Sequence, residues 1–169
     1  MKKYFILFIL LSLVNFSSFC QVNDKALWQV VLGKNCIDSS FVFGEWNEEN
    51  GTEETHLKYL GVLETEKSNY KIITSTWLWG ISKRATNRIL VFSDDNRYLG
   101  NYYIGMLCDL PDKLINDKLI FYRSKCNGCD DSLIVEISFK DGVFDDFFLE
   151  CSNGMGDIYS FDNNKSDKN

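Results

Sequence analysis

Cys126-Asn127-Gly128-Cys129 is the densest chemical signal in the chain, a Cys-x-x-Cys that could serve thiol exchange, metal binding or a structural staple. Thiol exchange in this motif uses a helix N-terminus, whose dipole stabilises the thiolate. Here Asn-Gly is a type I′ hairpin signal flanked by strand-like segments, so the helix is missing. A three-residue loop at Lys140-Asp141-Gly142 would set Val135 opposite Phe147 and Leu133 opposite Leu149. The same register would bring Cys151 close to Cys129 and leave Cys108 toward the other end of the sheet. Cys126, Cys129 and Cys151 are therefore the disulfide candidates, with two of the three forming a staple. A zinc site completed by Cys36, Asp130 or Asp131 is the alternative, and it lacks the second knuckle or the histidine that such sites use.

Trp77 and Trp79 share a face of their segment with Ile73 and Ile81, and the residues that follow include Lys83, Arg84 and Arg88. In so acidic a chain this is the only basic cluster. Aromatic faces beside cations can stack sugars or receive an anionic group, which makes these five residues the candidates for contact with a ligand or partner. The plainer reading puts both tryptophans in the core and lets the charges solvate a turn.

Hydrolytic chemistry finds little support. His56 is the single histidine, and no Gly-x-Ser-x-Gly elbow or His-Glu-x-x-His helix accompanies it. The acid pairs Asp94-Asp95, Asp130-Asp131 and Asp145-Asp146 are adjacent, so on a strand they would point to opposite faces instead of across a cleft. No catalytic residue, cofactor or metal is expected.

What must position these groups begins with a leader. Lys2 and Lys3 precede an apolar run that is too short to span a bilayer, and Ser18 and Cys20 stand at −3 and −1 before Gln21. The expectation is a signal peptide over 1–20 and a secreted or periplasmic product, with a lipoprotein anchored through Cys20 as the alternative. Removing both lysines would carry the net charge from −6 to −8. Such a surface repels phosphate backbones, which argues against nucleic acid as a partner. Five cysteines would remain, so at least one thiol stays outside any intrachain pair.

Residues 21–161 have the length of a single domain, and 162–169 read as a disordered polar tail. Ala26, Leu27, Val30 and Val31 recur at helical spacing behind Asp24, with Gly33 able to end the turn. Beyond that short helix the apolar period is two, and strands are predicted over 41–46, 57–64, 70–79, 88–92, 98–106, 118–123, 133–139, 143–151 and 157–161. Ile134 and Phe148 add apolar residues to the second face of the 118–151 hairpins, which implies cover on both sides. The fold expected is all-β and mainly antiparallel, a meander of about eight or nine strands closed or nearly closed into a barrel, or else a two-sheet sandwich.

Gly44-Glu45-Trp46, after the helix and at the start of the first strand, resembles the Gly-x-Trp opening of lipocalins, whose eight-stranded cup holds an apolar ligand. The resemblance covers three residues, lacks that family's helix after the last strand, and does not place the chain in the family. The function expected is a non-enzymatic binding module for a small apolar ligand, a glycan or a protein. A secreted inhibitor and a hydrolase with dispersed residues are the alternatives. An interior apolar cavity would favour the small ligand; a filled core with Trp77 or Trp79 exposed beside Arg84 would favour a surface partner.

Overall fold

The computed structural model describes residues 24–163, so the expected leader over 1–20 and most of the expected tail lie outside the described residues. Helix α1 spans Asp24–Lys34 and buries Trp28, Val31 and Leu32, the i, i+3, i+4 stripe of an amphipathic helix. Gly33 lies inside it. The stop is Asn35 in the left-handed region (φ 49°), whose N–H reaches the carbonyls of Val31 and Leu32.

Ten strands follow: β1 Ser40–Gly44, β2 Glu54–Glu64, β3 Asn69–Trp79, β4 Arg84–Ser93, β5 Tyr98–Ile104, β6 Lys113–Ile115, β7 Lys118–Tyr122, β8 Ile134–Ser138, β9 Asp146–Ser152 and β10 Met155–Asp162. Each predicted strand has its counterpart, and β6 is additional. β10 runs to Asp162, one residue into the expected tail. All pairings are antiparallel, in a seven-stranded sheet of order β1-β2-β3-β4-β5-β10-β9 and a three-stranded sheet of order β6-β7-β8. Among the described residues no closed barrel is found.

Two layers cover the large sheet. On one face α1 lays Trp28, Val31 and Leu32 over Leu57, Tyr59, Ile73, Leu90 and Phe92. On the other, Leu119 and Phe121 of the small sheet join Leu60, Ile72, Ile89, Val91, Tyr102, Phe147 and Leu149. Strand alternation sends successive side chains of β3 and β4 to these opposite cores, which is why both faces are rich in β-branched and aromatic residues.

The expected hairpin between β8 and β9 does not form. Gly142 does take a positive φ of 117° and closes a turn on the Phe139 carbonyl. Yet β8 pairs only with β7 (Phe121 opposite Val135) and β9 only with β10 (Phe147 opposite Tyr159), so this turn carries the chain from one sheet to the other. The second face of these strands is also bare: Ile134, Phe148 and Ile158 are exposed. Cover from both sides belongs to the large sheet instead.

Candidate functional site

The tight turn after β3 builds the first candidate site. Gly80 (φ 70°) and Lys83 (φ 48°) take left-handed conformations, and the Lys83 N–H closes on the Gly80 carbonyl. That turn sets Trp79 opposite Arg84, Trp77 opposite Thr86 and Ser75 opposite Arg88 on one face of the sheet. Ile81 falls in the turn itself and is exposed, not on the strand face expected for it.

The aromatic planes here are engaged with one another and with the neighbouring cations. Trp77 and Trp79 stack with ring centroids 5.6 Å apart at 26°. The Arg84 guanidinium lies 5.4 Å from the Trp79 centroid, and the Trp79 indole N–H donates to Thr86 Oγ1 at 3.1 Å. Next to this block the Trp46 indole N–H donates to the Gly80 carbonyl at 2.9 Å, with Lys83 Nζ 4.7 Å above the Trp46 ring. Trp77 and Trp79 are half-buried, while Lys83 and Arg84 are exposed. Arg88 is separated from them: it is mostly buried, pairs with Asp24 of α1 at 3.0 Å and lies beside Trp28. The five contact candidates thus divide into a surface block of four and one helix-anchoring arginine.

A few residues along β2, His56 meets the Glu54 carboxylate, which also accepts the Trp46 backbone N–H. The bond from His56, followed by that backbone N–H, holds the Glu54 carboxyl below its ordinary value. Among the described residues the partner given for the His56 side chain is Glu54, and the acid pairs lie in turns and at strand ends.

The second candidate lies where the two sheets meet. Cys108 pairs with Cys126 and Cys129 with Cys151, so the cysteines of the Cys-x-x-Cys belong to two different disulfides. Cys108 is not at the far end of the sheet: a short 3-10 turn, Leu107–Asp109, folds it back onto Cys126. β7 gives way to a second 3-10 turn, Arg123–Lys125, so the tight hairpin expected at Asn127-Gly128 becomes an irregular connection to β8. Cys36 is a free, exposed thiol away from this cluster, bonded to the Lys34 carbonyl. The zinc set is therefore not assembled, because Cys126, Cys129 and Cys151 are spent in disulfides.

Between the disulfides sits a charged cluster that has no local motif. The Arg123 and Asp109 side chains are 2% and 1% exposed and pair at 2.7 Å. Tyr159 donates its hydroxyl to the second Asp109 oxygen at 2.8 Å. Burial, and then the bond to Asp109, pushes the Tyr159 hydroxyl pKa upward. Arg123 Nη2 also lies 3.3 Å from Cys129 Sγ, whereas Cys126 Sγ lies 3.5 Å from Asp109 Oδ1. Arg123 Nε and Nη1 are buried with no hydrogen-bond partner among the described residues. Parity along β7 is the signal for Arg123, which continues the inward positions Leu119 and Phe121.

An open cleft of about 590 Å³ runs beside this cluster, between Lys58 and the Met106–Asp112 loop, with Leu110 and Pro111 in its wall. Lys58 is tied to Asp38 and to the Asp112 carbonyl, and Lys125 to the Asp112 carboxylate, so the cations at its rim are paired. Comparison of the chain with protein-family models, curated proteins and solved structures finds no match to any of them. Among the described residues no helix is long and apolar enough to cross a membrane. Two disulfides are compatible with an extracellular or periplasmic protein.

Proposed function

We propose that this chain is an exported, non-enzymatic binding module that meets an acidic patch on a protein partner through Trp77, Trp79, Lys83 and Arg84. The observation that carries the reading is the occupancy of the aromatic faces. Trp77 and Trp79 cover one another, Arg84 stacks on Trp79, and Lys83 lies over Trp46. A sugar ring needs an open face to stack on, and the faces engaged in these contacts are closed to it. Ring edges and a guanidinium in a prearranged block suit a protein interface instead, where rigid aromatic and arginine anchors carry most of the binding energy. The two cations stand out on a chain of net charge −6 and would attract carboxylates while discouraging self-association. Export is supported by the leader pattern over 1–20 and by the two disulfides.

The test compares wild-type protein with Trp77→Ala and Arg84→Glu as baits in the extracellular or periplasmic fraction of the source cells. A protein retained by wild type and weakened at least about tenfold by each variant, with circular dichroism and both disulfides unchanged, is the expected result. A partner held equally by all three baits would sink the reading. Carbohydrate-array binding that Trp77→Ala abolishes would replace the protein partner with a glycan.

A further inference from the structure

We infer that the Cys129–Cys151 disulfide is a thiol-exchange site: an external dithiol attacks Cys151 Sγ and expels Cys129 as a thiolate held by Arg123, while Cys108–Cys126 stays closed. This is independent of the binding face at the other site.

The asymmetry comes from the two charged groups that face the sulfurs. Exchange is fastest when the departing sulfur is stabilised as a thiolate. Cys129 Sγ has the Arg123 guanidinium at 3.3 Å, and that side chain holds two further N–H-bearing nitrogens, Nε and Nη1, buried without a partner among the described residues. The Nη2 that faces the sulfur also carries the Asp109 ion pair, so a Cys129 thiolate would share that guanidinium with the carboxylate, and a guanidinium beside a sulfur favours its thiolate form. Cys126 has a different neighbour: Asp109 Oδ1 lies 3.5 Å from its Sγ, and a thiolate there would meet a carboxylate. Cys151 lies half-buried on β9, the last strand of the large sheet, and Cys108 is likewise half-buried, so the departing sulfur and not the approach separates the two disulfides. Attack at Cys151 therefore has an approach and a stabilised leaving group, and attack on Cys108–Cys126 lacks the second.

The exchange balances as a two-electron transfer. The thiolate of the dithiol forms a bond to Cys151 Sγ, the Cys129–Cys151 bond breaks, and its electron pair leaves on Cys129 Sγ beside Arg123. The second thiol of the reductant, deprotonated by solvent, then displaces Cys151, which leaves as a thiolate and takes a proton from water. The protein disulfide is reduced and the dithiol is oxidised to its own disulfide. What opens is the tie between the loop before β8 and strand β9, that is, between the two sheets. The Cys108–Cys126 tie continues to join the two 3-10 turns.

The experiment uses the folded, oxidised protein with Cys36 blocked by iodoacetamide. Graded dithiothreitol is applied, new thiols are alkylated with a second reagent, and peptides are mapped by mass spectrometry. Cys129 and Cys151 should acquire label about ten times faster than Cys108 and Cys126. In Arg123→Met that gap should close. Because this substitution can impair folding, a measurement on the wild type decides as well: with reduced glutathione as the probe, the trapped mixed disulfide should map to Cys151. An adduct on Cys129, on Cys108 or on Cys126, equal opening of both disulfides, or a gap that survives in a folded Arg123→Met protein would each overturn the proposal.

Discussion

Asp109 is a buried carboxylate that serves two partners, Arg123 and Tyr159, and removing its charge strands a cation in the core. Breaking one side of such a pair costs more than the pair contributes, because the remaining charge keeps its desolvation penalty. Asp109→Asn should lower the unfolding free energy by about 3–5 kcal/mol, read by urea denaturation under oxidising conditions. Tyrosines supply a matching pH dependence. Burial lifts Tyr98 to about 12 and pushes Tyr102 and Tyr159 upward as well, from an ordinary value of 10.0. Above pH 10 the unfolded chain releases these protons while the folded chain retains them, so the unfolded state binds fewer and stability falls as pH rises. An alkaline titration should show these three hydroxyls ionising late, together with loss of the fold, and three early tyrosinate signals from them in a folded protein would contradict it. Arg123 was legible as an inward position from the parity of Leu119 and Phe121. Its partner was not, because Asp109 reaches it from another segment through a 3-10 turn that no local pattern announces.

Strands were legible where burial alternates, as along β1, β8 and the start of β9, because period-two burial is a local property, whereas β3 and β4 are buried on both faces and were legible from their β-branched and aromatic content. Pairing partners were not local. Asp141-Gly142 has the chemistry of a hairpin turn and makes one, yet the strands on either side separate into different sheets because Phe147 opposes Tyr159 and Val135 opposes Phe121. A turn fixes a change of direction; the choice of neighbour depends on what else competes for the edge. Cys151 illustrates the mixed outcome: its closeness to Cys129 was expected from a β8–β9 hairpin and instead arises where the loop before β8 meets β9, with the Asp130 N–H bonded to the Cys151 carbonyl. The β9–β10 pairing depends on close backbone approach at one glycine. Gly156 lies at a register shift opposite Glu150, and a Cβ there would collide with the Leu149 carbonyl and the Glu150 backbone. Gly156→Ala should therefore destabilise by about 2 kcal/mol and lower the thermal midpoint, whereas Gly128→Ala meets no neighbour and is strained only by its φ of 90°. An unchanged midpoint in Gly156→Ala would mean that β9 and β10 are free to shift apart.

At the scale of the molecule, one sheet separates two cores. Val31 lies between α1 and the large sheet, and Leu119 between the large and small sheets; both are fully buried. The sheet that divides them is shared, because neighbouring positions of β3 and β4 point alternately into each core: Ile73 and Leu90 toward the helix, Ile72 and Val91 toward the small sheet. Two mechanical outcomes are distinguishable. If the backbone of β2–β4 is a rigid partition, a cavity on one side leaves the packing on the other unchanged, and losses from distant sites add to within about 0.5 kcal/mol. If the strands shift to fill the cavity, the second core loses contacts too, and the losses couple. Ten opposed residue pairs between β3 and β4, flanked by a β2–β3 pairing broken only by one register shift between Tyr59 and Gly61, favour the rigid partition. Val31→Ala and Leu119→Ala should each cost about 2 kcal/mol, and the double variant about 4 kcal/mol, in urea unfolding with both disulfides intact. A double variant departing from the sum by more than about 1 kcal/mol would show the sheet transmitting strain between its faces. Such coupling would also link the Trp77–Trp79 block, on the helix side of β3, to the disulfide cluster beyond the opposite core.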